Sequence, residues 1–306
     1  MTITLRVGVF AAVESISSVR EDMRAAHAAG VDSYWVTQGF GMDALTVIAA
    51  TGGDLPGMSV GTAVIPVYPR HPMALAQQAL TTNLLVEGRL KLGIGPSHPS
   101  VVEPCWGMSY SRPAAYMSEY VQALNGSLTQ RVRFRGDQLT ARGDLDIQGA
   151  SVPPVYIAAL GPRMLQIAGE FSAGTVTWMV GPRTLATLTV PTIRESAEKA
   201  GRPEPEVITP MPVCVTDHRV RASAIADAEL GWYETLPSYR AMLDREGVDK
   251  AARMAVIGDE DAVLQRIGEF QEAGSTTFAI KVFGDPEDRA RTHEFIWALA
   301  RGRSAL

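Results

Sequence analysis

The nine residues Arg89-Leu90-Lys91-Leu92-Gly93-Ile94-Gly95-Pro96-Ser97 decide the fold. An apolar run ends at glycine, proline follows, and helical sequence begins. A continuous rather than alternating apolar run is what a strand covered on both faces carries. Proline suits the first turn of a helix, where its missing N–H costs nothing. The pattern recurs in Val155-Tyr156-Ile157-Ala158-Ala159-Leu160-Gly161-Pro162-Arg163 and in Thr175-Val176-Thr177-Trp178-Met179-Val180-Gly181-Pro182-Arg183. Each copy leaves N–H groups at a helix N-terminus open to an anion. Several such strand ends together form the ligand face of a barrel or an open parallel sheet.

Working outward, strands are expected to end near Phe10, Val36, Ile65, Ile94, Leu160, Val180, Val215 and Val282. Helical sequence follows each. Val19, Met23 and Ala26 share one face of a helix whose capping box is Ser18 with Glu21 and whose stop is Gly30. Pro72 opens a helix through Leu85, and Pro113 opens one with Met117, Val121 and Leu124 aligned. Pro182 starts a helix that pauses at Pro191. Asp259 caps one with Val263, Ile267 and Phe270 aligned, and Pro286 starts the last, ending at Gly302. Eight strand–helix repeats predict an α/β fold, a (β/α)8 TIM-like barrel forming a single domain over residues 1–306. The first strand lacks the Gly-x-Gly-x-x-Gly turn of a doubly wound sheet. Insertions follow strand four (about 127–154, with a small hairpin or surface loop at Arg131–Asp137) and strand seven (about 219–256, mostly helical). Both are expected to shape the substrate side.

The 306 residues carry a net charge of −5, which argues against nucleic acid or an anionic membrane as partner. Cys105 and Cys214 match no metal spacing and read as reduced thiols of a cytoplasmic protein. No signal peptide is expected at the N-terminus, and no run approaches the roughly 18 apolar residues of a membrane span.

The strand ends carry the chemistry. After strand three, Arg70 and His71 either touch an anion or serve structure, Arg70 solvated and His71 capping a helix. His98, beyond Gly95-Pro96-Ser97, either moves a proton or bonds a loop carbonyl. The amides and guanidinium groups of Gly161-Pro162-Arg163 and Gly181-Pro182-Arg183 suit a phosphate. Trp178 and Met179 either wall a flat ring or fill the core; Trp232, Tyr233 and Tyr239 either wall the substrate or pack helices. Lys281 is the one strand-end candidate for a Schiff base. No metal-ligand spacing, serine elbow, Walker motif or paired glycosidase carboxylates occur. A phosphate-friendly, apolar pocket with few charged groups suits a protein whose cofactor performs the reaction.

At these residues the chain resembles the bacterial luciferase-like superfamily, and within it the coenzyme F420-dependent oxidoreductases. The resemblance rests on Val60–Pro66, Gly88–Gly95 with Ser97-His98, Trp106-Gly107 before Arg112-Pro113, and Tyr156–Ala159 with Gly161-Pro162. It implies a TIM-like barrel with the deazaflavin across the strand C-termini and a non-proline cis bond at Ala63–Val64. It implies that Gly95, Pro96, Ser97 and His98, with Ala158, Ala159, Leu160 and Gly161, line the cofactor. Arg163, Gly181 and Arg183 would lie near its phosphate. Two departures stand out. Gln38-Gly39 replaces the Asp-His pair of many members, and His98 stands where the sugar-phosphate branch has a proton-donating glutamate, so that branch's substrate is not carried over. The expected activity is hydride transfer between the deazaflavin and a small organic substrate, with His98 as proton donor and Gln38 as hydrogen-bond partner. An FMN-dependent monooxygenase with a reductase partner, a noncatalytic cofactor-binding protein and a phosphate-substrate lyase are the alternatives. Homodimerisation through the second and third helices is the family's common arrangement.

Overall fold

A computed structural model describes residues 3–304. Eight parallel strands close on themselves: β1 (Arg6–Ala11), β2 (Ser33–Val36), β3 (Ser59–Thr62), β4 (Leu90–Gly95), β5 (Val155–Ile157), β6 (Gly174–Val176), β7 (Glu206–Val215) and β8 (Thr277–Val282). Each pairs with the next, and β8 returns to β1 with Arg6 opposite Thr277. The helices around them are α1 (Ile16–Ala28), α2 (Ala44–Thr51), α3 (Pro72–Leu85), α4 (Pro99–Trp106), α5 (Pro113–Leu128), α6 (Pro162–Phe171), α7 (Val190–Lys199), α8 (Arg219–Leu230), α9 (Pro237–Glu246), α10 (Glu260–Glu272) and α11 (Pro286–Ser304). The fold is a TIM-like barrel, as the eightfold repeat predicts.

Burial explains the patterning. β2 is buried at every position, and β7 at all but its first. Val19, Met23 and Ala26 of α1 face the barrel, as do Met117, Val121 and Leu124 of α5 and Val263, Ile267 and Phe270 of α10.

Local chemistry moved several boundaries. α1 begins a turn earlier than its expected Ser18 cap, because Ser15 and Ser18 form the reciprocal box themselves: Ser18 N–H donates to Ser15 Oγ at 3.1 Å and Ser15 N–H to Ser18 Oγ at 3.2 Å. Pro191 cannot donate to the carbonyl four residues back, and the chain answers with a π-helical turn at Leu185–Thr189. β5 and β6 stop at Ile157 and Val176, three and four residues short of expectation. Beyond Val176 the Thr177 N–H still bonds to β7, at 2.9 Å to the Ile208 carbonyl, and the backbone then turns at Met179, where φ is 53°. α11 runs past Gly302 to Ser304. Val256–Gly258, unread in the sequence, adds a short parallel strand along the outer end of β7.

The two insertions have different jobs. After β4, Arg131–Arg135 and Thr140–Asp144 form an antiparallel hairpin. The Glu119 carboxylate of α5 ties its turn by accepting the N–H groups of Asp137 (3.0 Å), Gln138 (2.8 Å) and Leu139 (3.2 Å). It packs on α5, with Val132 and Ala141 buried against Ala123. After β7, α8, a 3-10 turn at Gly231–Thr235 and α9 fold over the strand ends, and Glu234 Oε1 accepts Ala251 N–H at 2.8 Å.

The closure is most constrained between β3 and β4. Gly61 opposes Lys91, but the next aligned pair is Ile65 with Ile94, so β3 carries one extra residue. The extra residue falls where Ala63–Val64 is a cis peptide bond. The fully buried Thr62 hydroxyl fills the broken ladder: it accepts Gly93 N–H at 2.9 Å and donates to Gly93 C=O at 2.8 Å. A methyl at Gly93 would overlap the Thr62 carbonyl oxygen, so only glycine fits. Thr62→Val leaves both Gly93 groups buried without partners. Urea unfolding should therefore show a loss of about 2–4 kcal/mol at unchanged m-value.

Candidate active site

A cavity of about 570 Å³ opens over the C-terminal ends of the strands, within the usual size range of cofactor sites. Its floor is backbone and small side chains. Ala63 and Val64 contribute from the cis bend, Gly95, Pro96 and Ser97 from the β4 turn, and Ala158, Ala159, Leu160 and Gly161 from the β5 turn. A Cβ on Gly95 would stand 2.7 Å from Val64 Cγ2 and 3.1 Å from the Ala158 Cβ, so glycine keeps the floor flat. Tyr110 holds the β4 turn from behind, its hydroxyl donating to the Ser97 carbonyl at 3.0 Å.

His98 and Gln38 both face this cavity. His98 is the N-cap residue of α4, yet its imidazole caps nothing. The ring instead stands edge-on to Trp232, 5.4 Å between centroids, and 5.8 Å from Tyr239. Burial pushes its pKa below the ordinary 6.5, because the apolar wall disfavours the imidazolium. The shift favours the neutral imidazole. Gln38 Oε1 accepts the Ala44 N–H at 3.1 Å, which turns the amide group and leaves its N–H donors for the cavity.

The walls are aromatic. Phe10, at the end of β1, stacks on Trp178 at 5.0 Å with 10° between planes. Trp232, Tyr233 and Tyr239 from the second insertion continue this wall, Tyr233 lying 6.1 Å from Trp178, 4.8 Å from Tyr239 and 5.2 Å from Trp232. Of the two insertions expected to shape the substrate side, only this one reaches the cavity; the hairpin after β4 does not. Phe10, Trp106, Tyr110, Met164 and Ser238 also line it without having been singled out as site residues. Phe10 was readable, since it ends the first strand. Trp106 and Tyr110 were not, because nothing local says that α4 folds inward over the β4 turn.

The Gly-Pro turns, alike in sequence, are not alike in space. Gly161 is the N-cap of α6, lines the cavity, and has no side-chain cap and nothing within 4 Å of an added Cβ. The first N–H groups of α6 are thus left without a side-chain acceptor. Pro162 and Arg163 lie outside the cavity lining, Arg163 exposed and bonded to Gln166 at 3.3 Å. At Gly181 the equivalent place is filled by the chain itself. The Glu246 carboxylate of α9 accepts Thr184 N–H at 2.6 Å and sits where a Gly181 Cβ would go. Gly181, Arg183 and the fully buried Met179 are therefore not brought to the cavity.

His71 takes its structural role as a helix cap, whereas Arg70, expected to be solvated if it touched no anion, is held by side chains of the chain itself. Arg70 pairs with Asp43 and donates to Gln78 at 2.7 Å, and His71 Nδ1 accepts Met73 N–H at 3.3 Å at the start of α3. Lys281 reaches the cavity rim, in an ion pair with Glu229 at 3.2 Å. Among the described residues no cluster of His, Cys, Asp and Glu is arranged to hold a metal ion, and no helix is long and apolar enough to cross a membrane. A second cavity, about 600 Å³, lies on the flank between α1 and α11 and shares Phe10, Ala12 and Lys281 with the first.

Comparison with known proteins agrees with this geometry. The sequence model of the family described as luciferase-like monooxygenase matches residues 2–277. A 5,10-methylenetetrahydromethanopterin reductase of Methanolobus tindarius is 27% identical over 277 residues, covering 87% of this chain and 83% of that one. An F420-dependent glucose-6-phosphate dehydrogenase of Microbacterium testaceum is 25% identical over 320 residues, covering 94% and 93%. The solved coenzyme F420-dependent tetrahydromethanopterin reductase of Methanopyrus kandleri superposes with a TM-score of 0.81 at 20% identity, covering 96% of this chain and 98% of that one. That likeness is one of fold.

The depressed His98 value fixes a sign. The folded pKa lies below the unfolded 6.5, so stability is intact above pH 6.5 and falls as pH drops through 6.5 toward the folded value. His98→Gln should lessen that acid-side loss in unfolding measurements from pH 7 to 5. A His98 ring signal titrating above 6.5 by NMR would contradict the assignment.

Proposed function

The chain belongs to the luciferase-like monooxygenase family, and from that premise we propose that it is a coenzyme F420-dependent oxidoreductase acting on a small organic molecule. The observation that carries this reading is the cavity floor. Backbone at Ala63–Val64, Gly95 and Ala158–Gly161 forms a flat shelf free of charged side chains, to which the face of a planar ring can approach closely. The open N-terminus of α6 at Gly161 suits the phosphate of the same molecule. The shelf and that helix end fit a deazaflavin together, and relatives named as F420-dependent support the choice. When bound, the deazaflavin supplies or accepts a hydride at a substrate carbon.

The residues of the chain do the rest. The shelf and the aromatic walls orient a ring and exclude water. Gln38 offers amide donors beside the shelf, and neutral His98 is placed to take up or return a proton. An FMN-dependent monooxygenase is a second reading, favoured by the description of the family itself. A noncatalytic binding protein is a third, resting on Gln38-Gly39 in place of Asp-His.

We further propose that α2 and α3 form the contact between two copies of the chain. Neither helix carries a charged residue, unlike α1 or α11, and Leu84 and Leu85 are 46% and 54% exposed at the end of α3. An outer helix without a charged face is one that expects to be covered.

Fluorescence titration should show F420 binding at least about tenfold more tightly than FMN, a difference of about 1.4 kcal/mol. Tighter FMN binding, with oxygen uptake dependent on reduced FMN, would replace the deazaflavin reading with the monooxygenase one. Bound reduced F420 that stays reduced across a panel of ketones, enones and imines would favour the noncatalytic one. Light scattering should give twice the 32.9 kDa chain mass, and Leu84→Glu with Leu85→Glu should return the monomer without loss of fold, since both side chains are exposed. An unchanged dimer would place the interface elsewhere.

A further inference from the structure

The second insertion supplies the cavity with a group that the strand ends lack. Tyr239 lines the cavity, is only 8% exposed and packs between His98 and Tyr233. Three other tyrosines have spent their hydroxyl protons: Tyr34 donates to Asp22 at 2.6 Å, Tyr110 to the Ser97 carbonyl at 3.0 Å and Tyr156 to Glu206 at 2.9 Å; the Tyr120 hydroxyl has no partner either, but it is sealed in the core and does not line the cavity. The Tyr239 hydroxyl has no hydrogen-bond partner among the described residues, and it is not one of the unpartnered atoms sealed from solvent. A buried phenol without a partner costs free energy unless something else fills the place.

The charge inventory limits what that something is. Among the described residues no carboxylate lines the cavity, and Lys281, the one ammonium or guanidinium group in its lining, is already paired with Glu229. With the α6 N-terminus given to the cofactor's phosphate, an anionic substrate would shed water without gaining a free counter-charge, and a cationic one would meet no carboxylate. What the walls offer is ring surface, from Phe10, Trp178, Tyr233 and Trp232 in succession.

We propose that the substrate is an uncharged, largely apolar carbonyl compound whose oxygen accepts the Tyr239 hydroxyl proton. This rests on the deazaflavin reading, because the hydride is the deazaflavin's. As the carbonyl carbon takes that hydride, the C=O π electrons move onto oxygen, and the oxygen takes the proton from Tyr239 Oη. The product is the alcohol, and the phenolate regains a proton from water by way of the neighbouring His98 imidazole. Burial raises the Tyr239 pKa, which keeps the phenol protonated and ready to donate until charge develops on the substrate.

The test uses the full chain loaded with oxidised F420, with binding read from the cofactor's absorbance. Three probes of similar shape are titrated: acetophenone, α-methylstyrene, in which a CH2 group replaces the carbonyl oxygen, and benzoate. The wild type should bind acetophenone at least about tenfold more tightly than benzoate. Tyr239→Phe should weaken acetophenone about three- to tenfold, the worth of one hydrogen bond, and leave α-methylstyrene unchanged. Equal weakening of both neutral probes would reduce Tyr239 to a packing residue, and no weakening of acetophenone would remove it from the site. Benzoate binding as tightly as acetophenone would overturn the substrate class. Failure of the wild type to load F420 would end the deazaflavin reading, and this one with it, before any probe is added.

Discussion

A single hydroxyl holds the barrel closed where its ladder breaks. Between Gly61–Lys91 and Ile65–Ile94 the pairing of β3 with β4 slips by one residue, and Thr62 Oγ1 satisfies both backbone groups of Gly93 across the gap. Buried backbone donors and acceptors need partners, so a bulge inside a closed barrel survives only when a side chain replaces the lost ladder bonds. The consequences run upward to the cavity. The slip sets Ala63 and Val64 under the barrel mouth, and the absence of side chains at Gly93 and Gly95 lets Val64 and Ala158 meet over β4. The flat shelf is thus the upper end of a hydrogen-bonding solution to a register problem.

The distribution of charge follows the same division between ends of the barrel. At the N-terminal end Glu206 gathers Arg6 at 2.8 Å, Lys91 at 2.8 Å and the Tyr156 hydroxyl at 2.9 Å. Burial works against this carboxylate, but Lys91 and Arg6 outweigh it and hold its pKa below the usual range. That cluster joins β1, β4, β5 and β7 and belongs to stability. At the C-terminal end charges are paired off: Glu246 caps the helical turn at Gly181, Asp43 holds Arg70, and Glu229 holds Lys281 at the cavity's edge. What remains inside is neutral imidazole, amide, phenol and ring surface, which is an environment for redox chemistry carried by a cofactor rather than for a charged side-chain nucleophile.

Much of this was legible along the chain. The barrel followed from the number of apolar runs and from their continuity, and the floor residues from Gly95 to His98 and from Ala158 to Gly161 followed from the Gly-Pro turns and the family resemblance. The Gly181 turn shows where such reading ends. Gly161-Pro162-Arg163 and Gly181-Pro182-Arg183 are equal as strings, yet Glu246, distant from both in sequence, fills one helix end and leaves the other open. The hairpin after β4 and the helices after β7 likewise look like equivalent insertions, but Glu119 ties the first to α5 while the second folds over the mouth.

Sequence alone determined the parts whose cause is local or periodic: eight buried strands, the proline-led helix starts, the glycine positions, and the low charge of the cavity-forming turns. Backbone sterics and hydrophobic period act over a few residues, so they can be read without knowing the partner. Tertiary structure decided which turns stay open, which insertion reaches the ligand face, and which tyrosines line the cavity. Each of these depends on a side chain arriving from far along the chain, as Glu246 does at Thr184 and as Tyr239 does at His98. The three Gly-Pro turns share one sequence pattern, and packing gave them different fates.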